Sequence, residues 1–214
     1  MKRLVILFML VAFTLTGYAQ HYPLFKMYKT QDRHGQLRLD TTNGEIKLFQ
    51  NNGKAWGVCP ARTQESSKAG RFCLYETQTM RTVIVLDTYT GRSWQVRYGR
   101  SSKERSFAYP INTYSFAHPK STSVWSHRFQ MSETEDPWTY ILLDSYNGRL
   151  WQVQFDSQHC TPINEEALAV NNEKSIFSVQ PSGMYQFILT NDVNGEMWKF
   201  EWNPGRYERR ALYR

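Results

Sequence analysis

One phrase, an aspartate or asparagine, a turn, a glycine and then an indole, recurs down the chain at a nearly fixed interval. Three copies are complete: 87–94 (DTYTGRSW), 144–151 (DSYNGRLW) and 191–198 (NDVNGEMW). A fourth, 40–47 (DTTNGEIK), carries lysine in place of the tryptophan. The four glycines lie 47, 57 and 47 residues apart, the period of a small β-unit used as a module. Each unit opens on a phenylalanine (Phe25, Phe72, Phe129, Phe177), placed 19, 19, 19 and 18 residues before its glycine.

Local chemistry assigns strands to the stretches between these markers. A short alternating strand follows each phenylalanine. A polar turn leads to a near-continuous apolar run, such as 83–86 (VIVL), 140–143 (YILL) and 186–189 (QFIL), which should be covered on both faces. The first unit has the weaker 36–39 (QLRL) there. In the phrase itself, the acid can accept a backbone N–H two residues on, and glycine supplies a positive φ. A third strand then alternates: Trp94 and Val96, Trp151 and Val153, and Trp198 and Phe200 share one face. Position-locked indoles of this kind are expected to pack on the adjacent unit. The fourth strand ends near proline (Pro60, Pro110, Pro162), which suits an outer edge.

The expected fold is all-β: four antiparallel meanders, closed most simply as a four-bladed β-propeller. A large barrel or a two-sheet stack is the alternative. The domain plan is a signal peptide over 1–19 and a single β-repeat domain over 20–214, with units near 25–62, 72–112, 129–164 and 177–214. Lys2 and Arg3, an apolar run and small residues ahead of Gln20 make the export signal. The run is too short to span a bilayer, so no membrane span is expected. Periplasmic or secreted placement in a bacterium follows.

The formal charge is +7, partly gathered in Arg206, Arg209, Arg210 and Arg214. With export and no recognisable nucleic-acid module, this reads as a solvated face, and nucleic acid is not an expected partner. Cys59, Cys73 and Cys160 cannot all pair within one molecule, and Cys59 with Cys73 is the plausible disulfide.

The stretches 85–94 and 142–151 resemble the tryptophan-docking repeat of quinoprotein-like β-propellers. That resemblance implies blade-on-blade packing. The spacing of glycine to tryptophan is one residue shorter here, and no quinone or other cofactor is implied. The mature chain is also similar to small exported bacterial repeat proteins whose units read LLDTxTGRxWQVQ followed by PIN, a group without an established activity.

Catalytic and metal signatures are scarce. The turn acids Asp40, Asp87 and Asp144 offer one carboxylate per turn, against the six to eight oxygens that calcium takes, so no metal is expected. Glu76 and Glu133 occupy the same position in consecutive units. Two facing carboxylates would equip a carbohydrate-active hydrolase. The turns between first and second strands carry His34, Arg81, Trp138 and Tyr185 at matching positions. Aromatics and arginine on loops of a rigid scaffold make recognition surfaces. The expected function is a non-enzymatic, envelope-associated binding module for a glycan or an envelope protein. The hydrolase is the alternative, and a structural subunit of a surface assembly a third reading.

Overall fold

The computed structural model describes residues 22–33, 35–63, 68–117, 127–164, 176–183, 185–203 and 206–213. The expected signal, His34, His118 and the side chains of the C-terminal arginines lie outside the described residues. Sixteen strands form four separate antiparallel sheets, each a four-stranded meander in chain order. Blade 1 holds β1 (Phe25–Lys29), β2 (Gly35–Asp40), β3 (Ile46–Gln50) and β4 (Ala55–Cys59). Blade 2 holds β5 (Phe72–Glu76), β6 (Thr82–Asp87), β7 (Ser93–Arg97) and β8 (Phe107–Asn112). Blade 3 holds β9 (Phe129–Glu133), β10 (Thr139–Asp144), β11 (Arg149–Gln154) and β12 (His159–Pro162). Blade 4 holds β13 (Phe177–Gly183), β14 (Gln186–Asn191), β15 (Met197–Asn203) and β16 (Arg206–Tyr213). This is the four-bladed arrangement of a β-propeller, with blade 1 packed on 2, 2 on 3 and 3 on 4, and four distinct sheets exclude both the single barrel and the two-sheet stack.

The turn chemistry works as the phrase demands. Gly44, Gly91, Gly148 and Gly195 have φ of 79, 75, 72 and 77°. Each donates its N–H to the carbonyl of the residue four back, Asp40, Asp87, Asp144 or Asn191. The Oδ1 atom of each of those four residues accepts the N–H two residues on, at 2.9 to 3.1 Å.

The core lies between sheets. One apolar cluster joins Leu37, Leu39, Ile46 and Leu48 of blade 1 to Phe72, Leu74, Val83 and Val85 of blade 2. A second joins Ile84 and Leu86 of blade 2 to Phe129, Tyr140, Leu142 and Trp151 of blade 3. A third joins Ile141, Leu143 and Leu150 of blade 3 to Phe177, Phe187, Leu189 and Trp198 of blade 4. The indoles therefore dock on the preceding blade, with Trp151 2% and Trp198 8% exposed.

One backbone bond repeats at each of these three junctions. The N–H of Phe72, Phe129 and Phe177 donates to the carbonyl of Thr41, Thr88 and Ser145 of the blade before, each at 2.9 Å. The opening phenylalanine of one blade is thus tied to the signature turn of its predecessor. The close fit also restricts the turn: a Cβ on Gly44 would stand 2.9 Å from Phe72, and one on Gly91 3.0 Å from Phe129.

The chain's expected disulfide is absent. All three cysteines are free. Cys59 is buried in the junction of blades 1 and 2, where the Arg62 guanidinium donates to its sulfur at 2.6 Å. Cys73 pairs with Leu86 across β5 and β6, on the face of blade 2 that looks toward blade 3. The two cysteines sit on opposite faces of that junction's sheet, and proximity of strands in sequence did not translate into a pair.

Candidate functional site

The β1–β2, β5–β6, β9–β10 and β13–β14 turns share one end of the blades, because every meander runs in the same sense. The β3–β4 and β7–β8 turns reach the same end. Each first-to-second turn in blades 1 to 3 is built by a threonine. The Oγ1 atoms of Thr30, Thr77 and Thr134 donate across the turn to the carbonyls of Gly35, Thr82 and Thr139, at 2.9 Å each. These bonds are local and buried, so the loops are held on a rigid base.

The sequence-selected residues separate into two kinds there. Trp138 is 43% and Tyr185 39% exposed. The Trp138 indole leans on the buried Phe155 ring, with 5.6 Å between centroids, so one face is anchored while the rest meets solvent. Arg81, in contrast, is committed to the fold. Its guanidinium pairs with Glu104 at 3.1 Å, and its N–H donates to Gln31 Oε1 of blade 1 at 3.1 Å. Gln31 closes the bridge by donating from Nε2 to the Thr77 carbonyl.

Between blades 1 and 2 this end opens into a small cleft of about 70 Å³, with Asp32, Gln50, Tyr98 and Arg100 in its wall. Gln50 spans the mouth, donating to the Arg100 carbonyl at 2.7 Å. The Tyr98 phenol is pushed up to about 12, first by burial and then by the Asp32 carboxylate, so it stays protonated as a hydrogen-bonding group.

Glu76 and Glu133 end β5 and β9 at this same end, and both are exposed. They flank Tyr140, whose hydroxyl donates to the Glu76 carbonyl at 2.5 Å. Burial raises the Tyr140 phenol, and the Glu133 and Glu76 carboxylates raise it further. The two acids therefore lie within electrostatic reach of one hydroxyl, across the junction of blades 2 and 3.

Two arrangements escaped the sequence reading. Arg71 and Arg128, each just before an opening phenylalanine, grip the turn acids of their own units. Arg128 donates from Nε to Asp144 Oδ1 at 2.9 Å and from Nη2 to Oδ2 at 2.7 Å. Arg71 repeats this with Asp87 at 3.1 and 2.8 Å. A guanidinium on both oxygens leaves these carboxylates unsuited to a cation, which places Asp87 and Asp144 in the scaffold. The signal was present as an Arg-Phe pair sixteen residues before the acid in both units.

The second is Cys73, whose sulfur lies 3.7 Å from Nδ1 of His127, 54 positions further along the chain. Burial raises the thiol and lowers the imidazole, while Lys26 acts on both. Both groups are therefore neutral, and the thiolate that a cysteine nucleophile needs is disfavoured. Cys160 is likewise pushed up to about 12 by burial alone. Among the described residues no group of three or more His, Cys, Asp or Glu is placed to hold a metal ion, and no helix is long and apolar enough to cross a membrane.

No protein-family model and no curated protein matches the chain. Among solved structures, a streptogramin B lyase structure is similar at 13% identity, over 88% of this chain, with a TM-score of 0.48. The chain spans 54% of the length of that protein.

Proposed function

We propose that this protein is an exported, envelope-associated binding module that captures a glycan or a protein partner at the turn end of its blades. The observation that carries this reading is the pair Trp138 and Tyr185, which stand open to solvent at matching positions on adjacent blades. A large ring held on a threonine-braced turn, as Trp138 is, provides contact area at low entropic cost. The cleft beside Tyr98 and Arg100 adds polar groups of fixed orientation at the same end. Its likeness to small exported repeat proteins and its N-terminal signal support placement outside the cytoplasm.

The test is a glycan-array and pull-down screen with the purified chain, repeated with Trp138→Ala and Tyr185→Ala. Ligand capture should fall at least tenfold in either variant, with the melting temperature nearly kept. Capture unaltered by both substitutions would remove the turn end from the reading. A second reading, a carbohydrate-active hydrolase using Glu76 and Glu133, draws on their common position around Tyr140. Polysaccharide cleavage lost in Glu76→Gln and Glu133→Gln would favour it.

A further inference from the structure

The three blade junctions define what each blade offers its neighbours, and the two end blades leave one half of that offer unmatched. On blades 2 to 4 the opening phenylalanine is buried against the preceding blade, at 1%, 0% and 2% exposure. Phe25, at the same position of blade 1, is 48% exposed, as is Met27, where Leu74 and Met131 are 6% and 7% exposed. The N–H groups of Phe72, Phe129 and Phe177 each have a carbonyl of the previous blade. Among the described residues the Phe25 N–H has none.

Blade 4 shows the complementary lack. Thr41, Thr88 and Ser145 each give their carbonyl to the next blade, but Asp192, their counterpart, has no such donor among the described residues. Gly44 and Gly91 press against the next phenylalanine, whereas a Cβ on Gly195 would meet nothing within 4 Å. Ile188 and Thr190 are half-buried, where Ile84, Leu86, Ile141 and Leu143 in the same positions are 0 to 1% exposed.

We propose that these are the two halves of a fourth junction, completed between two copies of the chain. In it the partner subunit's Phe25 seats on the Gly195 turn and donates its N–H to the Asp192 carbonyl. The reciprocal contact closes two chains into one ring, as a head-to-tail surface must when its rotation closes. A second copy fits better than an unrelated partner because each copy carries the matching half of a junction already built three times within the chain. The leading face of blade 1 presents Arg38 and Lys47 where inner junctions have Val85 or Leu142 and tryptophan, while on blade 4 Glu201 is already paired with Lys199 at 2.9 Å, so the fit rests on shape and the backbone bond. This assembly is independent of what the turn end binds.

The experiment is light scattering on size-exclusion fractions of the full mature chain across a concentration series. It includes Phe25→Glu at the head, and Ile188→Glu and Thr190→Arg at the tail. The expected result is a doubled mass for the wild type and the single-chain mass for head and tail variants alike, with unchanged far-ultraviolet circular dichroism. Loss in the head variant alone would mean a head-to-head contact and overturn the proposal. So would a wild type that stays single up to its solubility limit, a result that needs no variant to fold. A doubled mass that survives both head and tail substitutions would overturn it equally.

Discussion

The second strands of blades 2 and 3 are buried at every residue, while those of blades 1 and 4 are buried at every second one. The phases are opposite. β2 buries Leu37 and Leu39 against blade 2, and β14 buries Phe187 and Leu189 against blade 3. Composition follows this exposure. Inner blades place valine, leucine and tryptophan toward the preceding blade and isoleucine and leucine toward the next, whereas blade 1 places Arg38 and Lys47 on its outer face. The Arg38 guanidinium lies over the Phe25 and Phe49 rings, at 4.6 and 5.2 Å from their centroids, and covers part of what a blade would have covered.

The turn acids obey the same division. Asp144 is fully buried and carries a bidentate arginine; Asn191 is nearly as buried, has Ile176 before its unit's opening phenylalanine in place of arginine, and is neutral. Asp40, with Leu24 in the arginine's place, is only half-buried. Charge at this position is thus tolerated where a guanidinium or water meets it, and is otherwise replaced by an amide.

That rule is broken most sharply by Asp144→Ala. It strands the Arg128 guanidinium in the core, at about 3–5 kcal/mol for an unpaired buried charge, and removes the Tyr146 N–H acceptor for about 1 more. Asn191→Ala should cost only about 1 kcal/mol, the lost turn bond. Urea titrations of both proteins measure the gap, and equal losses would dissolve the distinction between inner and outer turns.

The opening phenylalanines give the next largest contrast. Phe129→Ala should destabilise by about 3–5 kcal/mol, as for other fully buried rings. Phe25→Ala, at the same repeat position, should cost about 1 kcal/mol or less when measured at concentrations where the chain is single. If the two cost the same, the leading face of blade 1 is covered in solution.

Much of this was legible beforehand, for a physical reason. Turn type, strand order and the inward side of Trp151 all follow from near neighbours, and the repeat multiplied each signal. The Asp87 and Asp144 turns even showed the expected Asx bond. The arginine clamp was missed because its partners are sixteen residues apart, and a lone arginine before a strand carries no local meaning. The commitment of Arg81 to Glu104 and Gln31 was hidden for the same reason, which split the three described turn residues, Arg81 against Trp138 and Tyr185, into scaffold and surface. The open face of blade 4 was missed because 186–189 looks as apolar as the inner strands, although β14 is covered on one side only. Repeat similarity reports what a unit is, while exposure reports what stands beside it.

A smaller contrast concerns pH. Tyr75 lies in the junction of blades 2 and 3, and its hydroxyl accepts the Met131 N–H at 3.2 Å. Burial pushes its phenol up to about 12, an effect that this bond partly offsets. The folded state therefore favours the protonated phenol. Its contribution is whole below the unfolded value near 10 and is lost as pH climbs from there toward 12. Two pH units amount to about 2.7 kcal/mol at most, so wild type should lose stability between pH 10 and 12. Tyr75→Phe should lose about 1 kcal/mol at neutral pH and show a shallower alkaline decline. Chemical denaturation at pH 8 and 11 would expose the difference; parallel declines would remove Tyr75 from the alkaline limb.

The smallest expected effect is the most discriminating. Lys47 stands where three other units carry an indole, and its side chain is 39% exposed beside Glu45 at 3.3 Å. If the first unit has merely decayed inside a covered junction, Lys47→Trp should restore a docking ring and stabilise the chain by more than 1 kcal/mol, as apolar burial of that size would. If the leading face is open in the single chain, the new ring finds only Arg38 and water, and stability should move by less than about 0.5 kcal/mol. The same substitution then has somewhere else to act. At concentrations where two copies meet, the indole enlarges the apolar surface that faces blade 4 of the partner. Its effect should therefore appear in the concentration dependence of the melting temperature and be absent from the dilute value. A gain of equal size at both concentrations would place the covering blade within the chain itself.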